Sequence, residues 1–383
     1  MNEPNIIPDG ALLIQDGVIT DVGPTRRVER LTSARKAQVI DATGKVVVPG
    51  FIDCNTQAMS GSPRLNTYGG DSSLPDDRAA LKTVRGFSAQ RLELETKRHL
   101  RNSIRHGTTT VCSLTGYGLD EATELRSLRI LKDLHEHPLA VIASYFGANF
   151  APPEYEGRSD AYLRWAMENM LPLVKKRRLA KITDAHCGPT AFPAELCLPF
   201  LREAAGLGFR TRVVAGADSA AEALGLALES GAVSIERLRN ADTAVIQALS
   251  GSSLLATLTP GESFHLGLDH APARRLIDGG VAVALATGYD SGRSPTVSIP
   301  MIMSIACAQM RMTPAEALTA CTIQPAHVLG IHHRCGSIEC GKDADLLLMN
   351  VPDYREIPFH FGMNPVAMVL RRGERVWPRL ETV

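Results

Sequence analysis

Nothing in this sequence is present in large excess. Lysine plus arginine number 41 and aspartate plus glutamate 41, so the formal net charge is zero. No basic surplus is available to neutralise a phosphate backbone, and nucleic acid is not expected as a partner. Aromatic residues are only 5% of the chain, too few for a surface that stacks bases or sugars. No run approaches the roughly 18 to 20 uninterrupted apolar residues of a membrane helix, so no membrane partner is expected. Met1 to Ala11 lacks the charged-then-apolar pattern of a secretory leader, which points to the cytoplasm. The eight cysteines, Cys54, Cys112, Cys187, Cys197, Cys307, Cys321, Cys335 and Cys340, include no Cys-x-x-Cys pair. Zinc-ribbon and thioredoxin-like motifs are thereby excluded, and reduced thiols are expected. Repeats, low-complexity tracts and long charged blocks are absent too.

What is there suits a well-packed protein of enzyme size. The 383 residues are 44% hydrophobic, with 32 glycines and 23 prolines. An α/β barrel takes about 250 residues, which leaves room for one small extra domain.

The first fifty residues read as short strands with turns: Ala11 to Gln15, the turn pair Asp16-Gly17, then Val18 to Val22 and Gly23-Pro24. The last fifty behave alike, with apolar runs after Gly341 and at Val366 to Leu370. These ends predict a composite β-sandwich domain built from residues 1–50 and 336–383. Between them, short apolar runs alternate with amphipathic ones. Strands are predicted at Val46 to Ile52, Thr109 to Cys112, Ala140 to Tyr145, Ala180 to Ala185, Phe209 to Val214, Ala232 to Leu238, Leu254 to Leu258 and Val281 to Ala286. Helices are predicted at Phe87 to His106, Leu119 to His135, Asp160 to Lys175, Pro193 to Gly206, Ala220 to Ser230 and Ala271 to Asp278. Eight strands separated by helices predict a (β/α)8 TIM-like barrel over residues 51–335, with reactive groups just beyond the strand ends.

At Val46-Val-Val-Pro-Gly-Phe-Ile-Asp-Cys-Asn-Thr-Gln the sequence resembles the opening strand of the amidohydrolase superfamily, where Pro-Gly-Phe-Ile-Asp is followed by His-x-His. The frame matches and the histidines do not. Gly107-Thr-Thr-Thr-Val, Thr115-Gly-Tyr-Gly-Leu-Asp, Pro152-Pro-Glu-Tyr-Glu-Gly-Arg, Gly336-Ser-Ile-Glu-Cys-Gly-Lys-Asp-Ala-Asp-Leu and Asp353-Tyr-Arg-Glu-Ile-Pro-Phe-His-Phe-Gly-Met-Asn-Pro resemble one family within it, the imidazolonepropionases. That family hydrolyses the imidazolone ring in histidine breakdown. The likeness spans nearly the whole chain and implies a homodimer.

The resemblance also implies one divalent metal held by the two His of His-x-His, a His ending the fifth strand and an Asp ending the eighth. Those positions are Asn55, Gln57, Val214 and Gly288 here. Such a metal needs three or four nitrogen, sulfur or carboxylate donors at about 2.0 to 2.3 Å. Amides are weak donors, and Val and Gly bring no side-chain donor, so neither a metal nor another cofactor is expected. Zinc lowers the pKa of bound water from 15.7 to about 7, so hydrolysis by the family's route is not expected either. Elsewhere the family's Glu of Phe-Cys-Glu matches Gly188, and the acidic residue after the fifth-strand His matches Gly216 or Ala217. The His of Gly-Ala-His matches Asn149, the His of Ser-Ala-Asp-His-Leu matches Arg237, and the Asn after the eighth-strand Asp matches Asp290. Arg64, which contacts the substrate carboxylate in the family, and Tyr117 remain.

The expected site therefore binds a small anionic or amide-containing molecule through Arg64, Tyr117, Asn149, Arg237, Asn55 and Gln57, because a planar guanidinium holds a carboxylate bidentately. Asp290, His186 and Tyr117 are the candidates to move protons in a cyclisation, isomerisation, elimination or hydration. Arg212, on the face of Val214, adds a deeper charge; the alternative to ligand binding for Arg237 is that it fills the emptied metal position and pairs with Asp290 or Glu236. Two other readings stand beside this one. The protein is a pseudoenzyme, acting as ligand sensor or structural partner, or it is a C–N hydrolase using the Cys112 thiol. Polar groups in a closed site cost free energy unless satisfied, so their accumulation favours a working pocket. Cys54, of opposite parity to Asn55 and Gln57, is expected to pack against the helices.

Overall fold

The computed structural model describes residues 5–61, 63, 65, 77–135 and 138–378. Arg64, expected as a carboxylate anchor, lies outside the described residues.

Strands β1 (Gly10–Gln15) and β2 (Val18–Pro24) form the predicted hairpin around Asp16-Gly17. β3 (Val46–Pro49) leads into the barrel strands: β4 (Phe51–Thr56), β5 (Thr108–Leu114), β6 (Ala140–Ala148), β7 (Ile182–Cys187), β8 (Arg210–Ala215), β9 (Ser234–Glu236), β10 (Leu255–Leu258) and β11 (Val283–Leu285). These eight are parallel and hydrogen-bonded in sequence order. The first and last strands approach through a bridge between Thr56 and Tyr289 and a Gln57 N–H to Tyr289 carbonyl bond of 2.7 Å. The fold is a TIM barrel with a small sheet domain. In that domain β12 (Leu346–Met349) lies between β3 and β13 (Val366–Arg371), and β14 (Glu374–Trp377) pairs with β13. The hairpin joins it through Ile19, whose N–H reaches the Lys342 carbonyl, and through a small core of Ile19, Ala344, Leu346, Leu348 and Leu370.

The stretch read as one strand, Val46 to Ile52, is divided at Gly50, with β3 in the small sheet and β4 in the barrel. A Cβ at Gly50 would stand 2.2 Å from Thr109 Oγ1, so only glycine lets the two strands pass there. The predicted helix Asp160 to Lys175 is also interrupted, by a wide turn over Ala166–Met170 ahead of Pro172. Proline cannot donate to the preceding turn.

Helices cover the barrel with their apolar faces inward. They start where the sequence supplies oxygen caps: Ser88 accepts from the Arg91 N–H and Asp120 from the Thr123 N–H. The main core lies between strands and helices, from residues such as Val111, Val141, Val213, Ile235 and Leu258. A second core fills the barrel itself with Ile52, Cys112, Leu114, Ile182, Val214, Ala284 and Ala286, closed below by Ala326, Val328 and Leu329. Cys54 belongs to this inner cluster, not to the helix-facing one. The β4–β5 register shifts between Asp53 and Thr56, which breaks the simple alternation on which the opposite placement rested.

Candidate functional site

A belt of polar side chains crosses the barrel interior beneath the strand ends. Arg212 of β8 is fully buried and its Nε lies 2.8 Å from Asp184 of β7. Its Nη1 lies 3.6 Å from Glu236 of β9 and donates to the Cys54 carbonyl at 2.7 Å. Ser144 of β6 donates to Asp184, and the Asn55 amide of β4 donates to Glu236. Burial, reinforced by Asp184, raises the Glu236 carboxyl, while Arg212 opposes the rise. Arg212 is thus no part of the mouth; it is the cation that makes two interior carboxylates tolerable. Cys112 is 0% exposed in the same belt and burial pushes its thiol up to about 12, although Arg212 works against this. A thiol so placed yields almost no thiolate, which removes it as a nucleophile.

Above the belt lie several of the residues expected at the mouth, although Asn55 is in the belt itself with Glu236. Tyr117 follows β5 in a loop shaped by the buried Glu124, whose Oε1 accepts from the N–H groups of Gly116, Gly118 and Leu119. The Tyr117 hydroxyl donates to Asp290 Oδ2 at 2.8 Å and stands 3.3 Å from Asp77. Asp290 Oδ1 accepts from the N–H groups of Gly292 and Arg293 at 2.7 and 2.9 Å. The Arg293 guanidinium pairs with Asp77 at 2.8 Å and approaches Glu262 at 3.6 Å. Arg237 pairs with Glu262 at 3.3 Å, not with Asp290 or Glu236. The reason is local backbone: Arg237 and Leu238 adopt φ of 75° and 45°, which turns the chain sharply at the end of β9. Adjacent left-handed residues other than glycine are costly and are maintained only by surrounding structure.

Asn149 anchors its amide on the Gly116 carbonyl at 2.9 Å, and its own carbonyl meets His186 Nδ1 at 3.2 Å. Burial, with Arg237 and Arg293 next in importance, pulls the His186 imidazole down to about 3. Such a ring is neutral at physiological pH, first because it is buried and then because two guanidinium groups face it. Gln57 reaches the Thr115 carbonyl at 3.5 Å. Arg293, Asp77 and the Arg237–Glu262 pairing went unread in the sequence. Arg293 is only three residues beyond Asp290, but no spacing rule marks it, and its partner Asp77 is 216 positions away.

Two expected results follow from the end of the last strand. Gly288 has φ +57°, and a Cβ there would stand 2.8 Å from Thr259 Cβ. Gly288→Ala should therefore cost about 2 kcal/mol in urea unfolding, with a smaller cost in a Thr259→Gly background. Equal costs in both backgrounds would show that the contact with Thr259 is irrelevant. Next to it, Asp53 accepts from the Thr287 N–H and hydroxyl at 3.1 and 2.5 Å, and burial outweighs these bonds to push its carboxyl from 3.8 up to about 7. An acid with a raised pKa in the folded state binds its proton there and loses it in the unfolded chain, so its penalty grows as pH climbs from about 4 to about 7. The stability of Asp53→Asn relative to wild type should improve by about 2 kcal/mol between pH 5.5 and 8; a pH-independent difference between the two unfolding curves would contradict this.

A surface depression lined by Ser263, Phe264, Gly267, Leu268, Asp269, His270 and Gln309 includes none of these strand-end residues. Among the described residues no group of three or more His, Cys, Asp or Glu side chains is arranged to hold a metal ion, and no helix is long and apolar enough to cross a membrane.

A parallel eight-stranded barrel with a small sheet domain from the two chain ends, and with its polar residues gathered at the strand ends, defines a class, and the chain belongs to the amidohydrolase family, whose profile matches residues 46–376. Within it the chain is similar to imidazolonepropionases. It is 37% identical to that of Geobacillus kaustophilus, covering 98% of this chain and 92% of the relative, and 38% identical to that of Solibacter usitatus, covering 99% and 93%. Among solved structures it is similar in fold to an adenosine deaminase from Xanthomonas campestris with bound zinc, at a TM-score of 0.71 and 18% identity, covering 97% of this chain and 89% of the other.

Proposed function

We propose that the protein binds a small carboxylated, imidazolone-like ring and catalyses a metal-independent proton transfer on it, such as an isomerisation or elimination. The observation that carries this reading is the Tyr117 hydroxyl held 2.8 Å from Asp290 beside Asp77 and its partner Arg293. Asp290 takes a proton from one atom of the ring, Tyr117 gives one to another, the proton then passes from Asp290 back to Tyr117 across their 2.8 Å hydrogen bond, and Arg237 holds the carboxylate.

The donor set does not fit a divalent cation of the kind bound in relatives. Asn55 spends its amide on Glu236, Val214 packs in the inner core, and the space for a side chain at Gly288 is filled by Thr259. No step is therefore routed through a metal.

The test is to incubate chelator-treated protein with imidazolone propionate in deuterated buffer and follow the ring by NMR. Deuterium entry or isomerisation unaffected by chelation, and lost in Arg237→Ala, is the expected result. Ring opening that needs added zinc would overturn the proposal.

A further inference from the structure

We infer that His186 accepts a ring N–H of the ligand at Nε2, so that the site takes a small cyclic amide or ureide bearing a carboxylate. This rests on the proposed function for the location of the site and goes beyond it in naming the ligand's chemistry and the residue that selects it.

The tautomer follows from the neighbours. The Asn149 carbonyl can only accept, and it stands 3.2 Å from His186 Nδ1, so Nδ1 carries the hydrogen. The ring is neutral, which leaves a lone pair on Nε2. That nitrogen is buried without a hydrogen-bond partner among the described residues, and the residue is only 7% exposed. It faces the backbone just beyond β8: a Cβ at Gly216 would come 3.6 Å from Nε2 and 3.1 Å from the Cys187 carbonyl oxygen. Buried acceptors without partners are uncommon and call for an explanation, and a ligand donor supplies one.

The other groups at this mouth complete the pattern. Arg237 and Arg293 carry only donors, so they address oxygens. His186 adds an uncharged acceptor beside them, one that, unlike the carboxylates of Asp290, Glu262 and Asp77, has no protein partner among the described residues. The complementary ligand presents one N–H flanked by carbonyl and carboxylate oxygens, as lactams and cyclic ureides with an acidic side chain do. A ring nitrogen that is itself only an acceptor would meet Nε2 lone pair to lone pair and be refused. His186 stands where the resemblance to imidazolonepropionases places the Phe of Phe-Cys-Glu, so this acceptor is a feature of this chain and not one carried over with the family's motifs.

The experiment titrates the whole protein calorimetrically with hydantoin-5-acetate and with its two ring N-methyl derivatives, and records the ¹⁵N spectrum of labelled histidine from pH 5 to 8. The expected result is binding of hydantoin-5-acetate, a loss of about tenfold or more on methylation of one ring nitrogen, and an Nε2 resonance of unprotonated type that moves when the ring is added. His186→Gln, which keeps an acceptor, should keep the preference for the unmethylated ring, whereas His186→Phe should bind both alike. A protonated Nε2, equal binding of all three rings to wild type, or no binding of any would overturn the inference. Binding that needs Arg237 but ignores ring methylation would sink the role of His186 while leaving the proposed site standing.

Discussion

Arg212→Met is expected to lower the free energy of unfolding by about 3–5 kcal/mol in urea titrations at pH 8. The substitution keeps much of the side-chain volume but leaves Asp184 and Glu236, both fully buried, without the cation between them. Two carboxylates cannot both stay ionised in such a place, so one takes up a proton at a cost that rises with pH. The loss should accordingly be smaller at pH 5 than at pH 8. Neutralising all three residues together, as Arg212→Met with Asp184→Asn and Glu236→Gln, should recover most of the stability, because the polar bonds to Ser144 and Asn55 survive and no charge is stranded. A single variant that loses less than about 1 kcal/mol would mean that water or backbone movement relieves the pair and that Arg212 is dispensable.

Asp290→Asn is expected to slow proton exchange on imidazolone propionate by about 10² to 10⁴-fold, with the affinity for the ring changed only a few-fold. The carboxamide oxygen can still accept from the Gly292 and Arg293 N–H groups, and its nitrogen can face the Tyr117 hydroxyl, so the geometry persists while the base is gone. Tyr117→Phe should cost less, since it leaves Asp290 in place and removes only the acid partner. Deuterium incorporation followed at saturating ring separates the two quantities; an Asp290→Asn protein that exchanges at the wild-type rate would remove Asp290 from the chemistry.

Most of the fold could be read in the chain because strand and helix periods survive in it: every predicted barrel strand has its counterpart from β4 to β11. What failed was local. Cys54 was placed outside by counting alternate residues, but the register shift between Asp53 and Thr56 changes the count. Tyr117, Asp290, Asn149 and Arg237, the candidate residues reached through motif positions, lie in one region at the strand ends. Their pairings were not legible, since Arg237 meets Glu262 only because the backbone turns left-handed beyond β9, and no pattern of residue types announces such a turn. His186 was visible as a strand-end histidine, yet its proton affinity is set first by burial in the folded barrel and then by Arg237 and Arg293, none of which the residue pattern displays.

The partnership of Ile19 with Lys342 has a consequence for the order in which the polypeptide matures. The hairpin leaves the ribosome well before its edge partner, which emerges roughly 320 residues later. At about 5–20 residues per second, that is a wait of roughly 15 to 60 s. Until those later residues are made, Leu12, Ile14 and Ile19 lack the side chains that cover them in the folded chain.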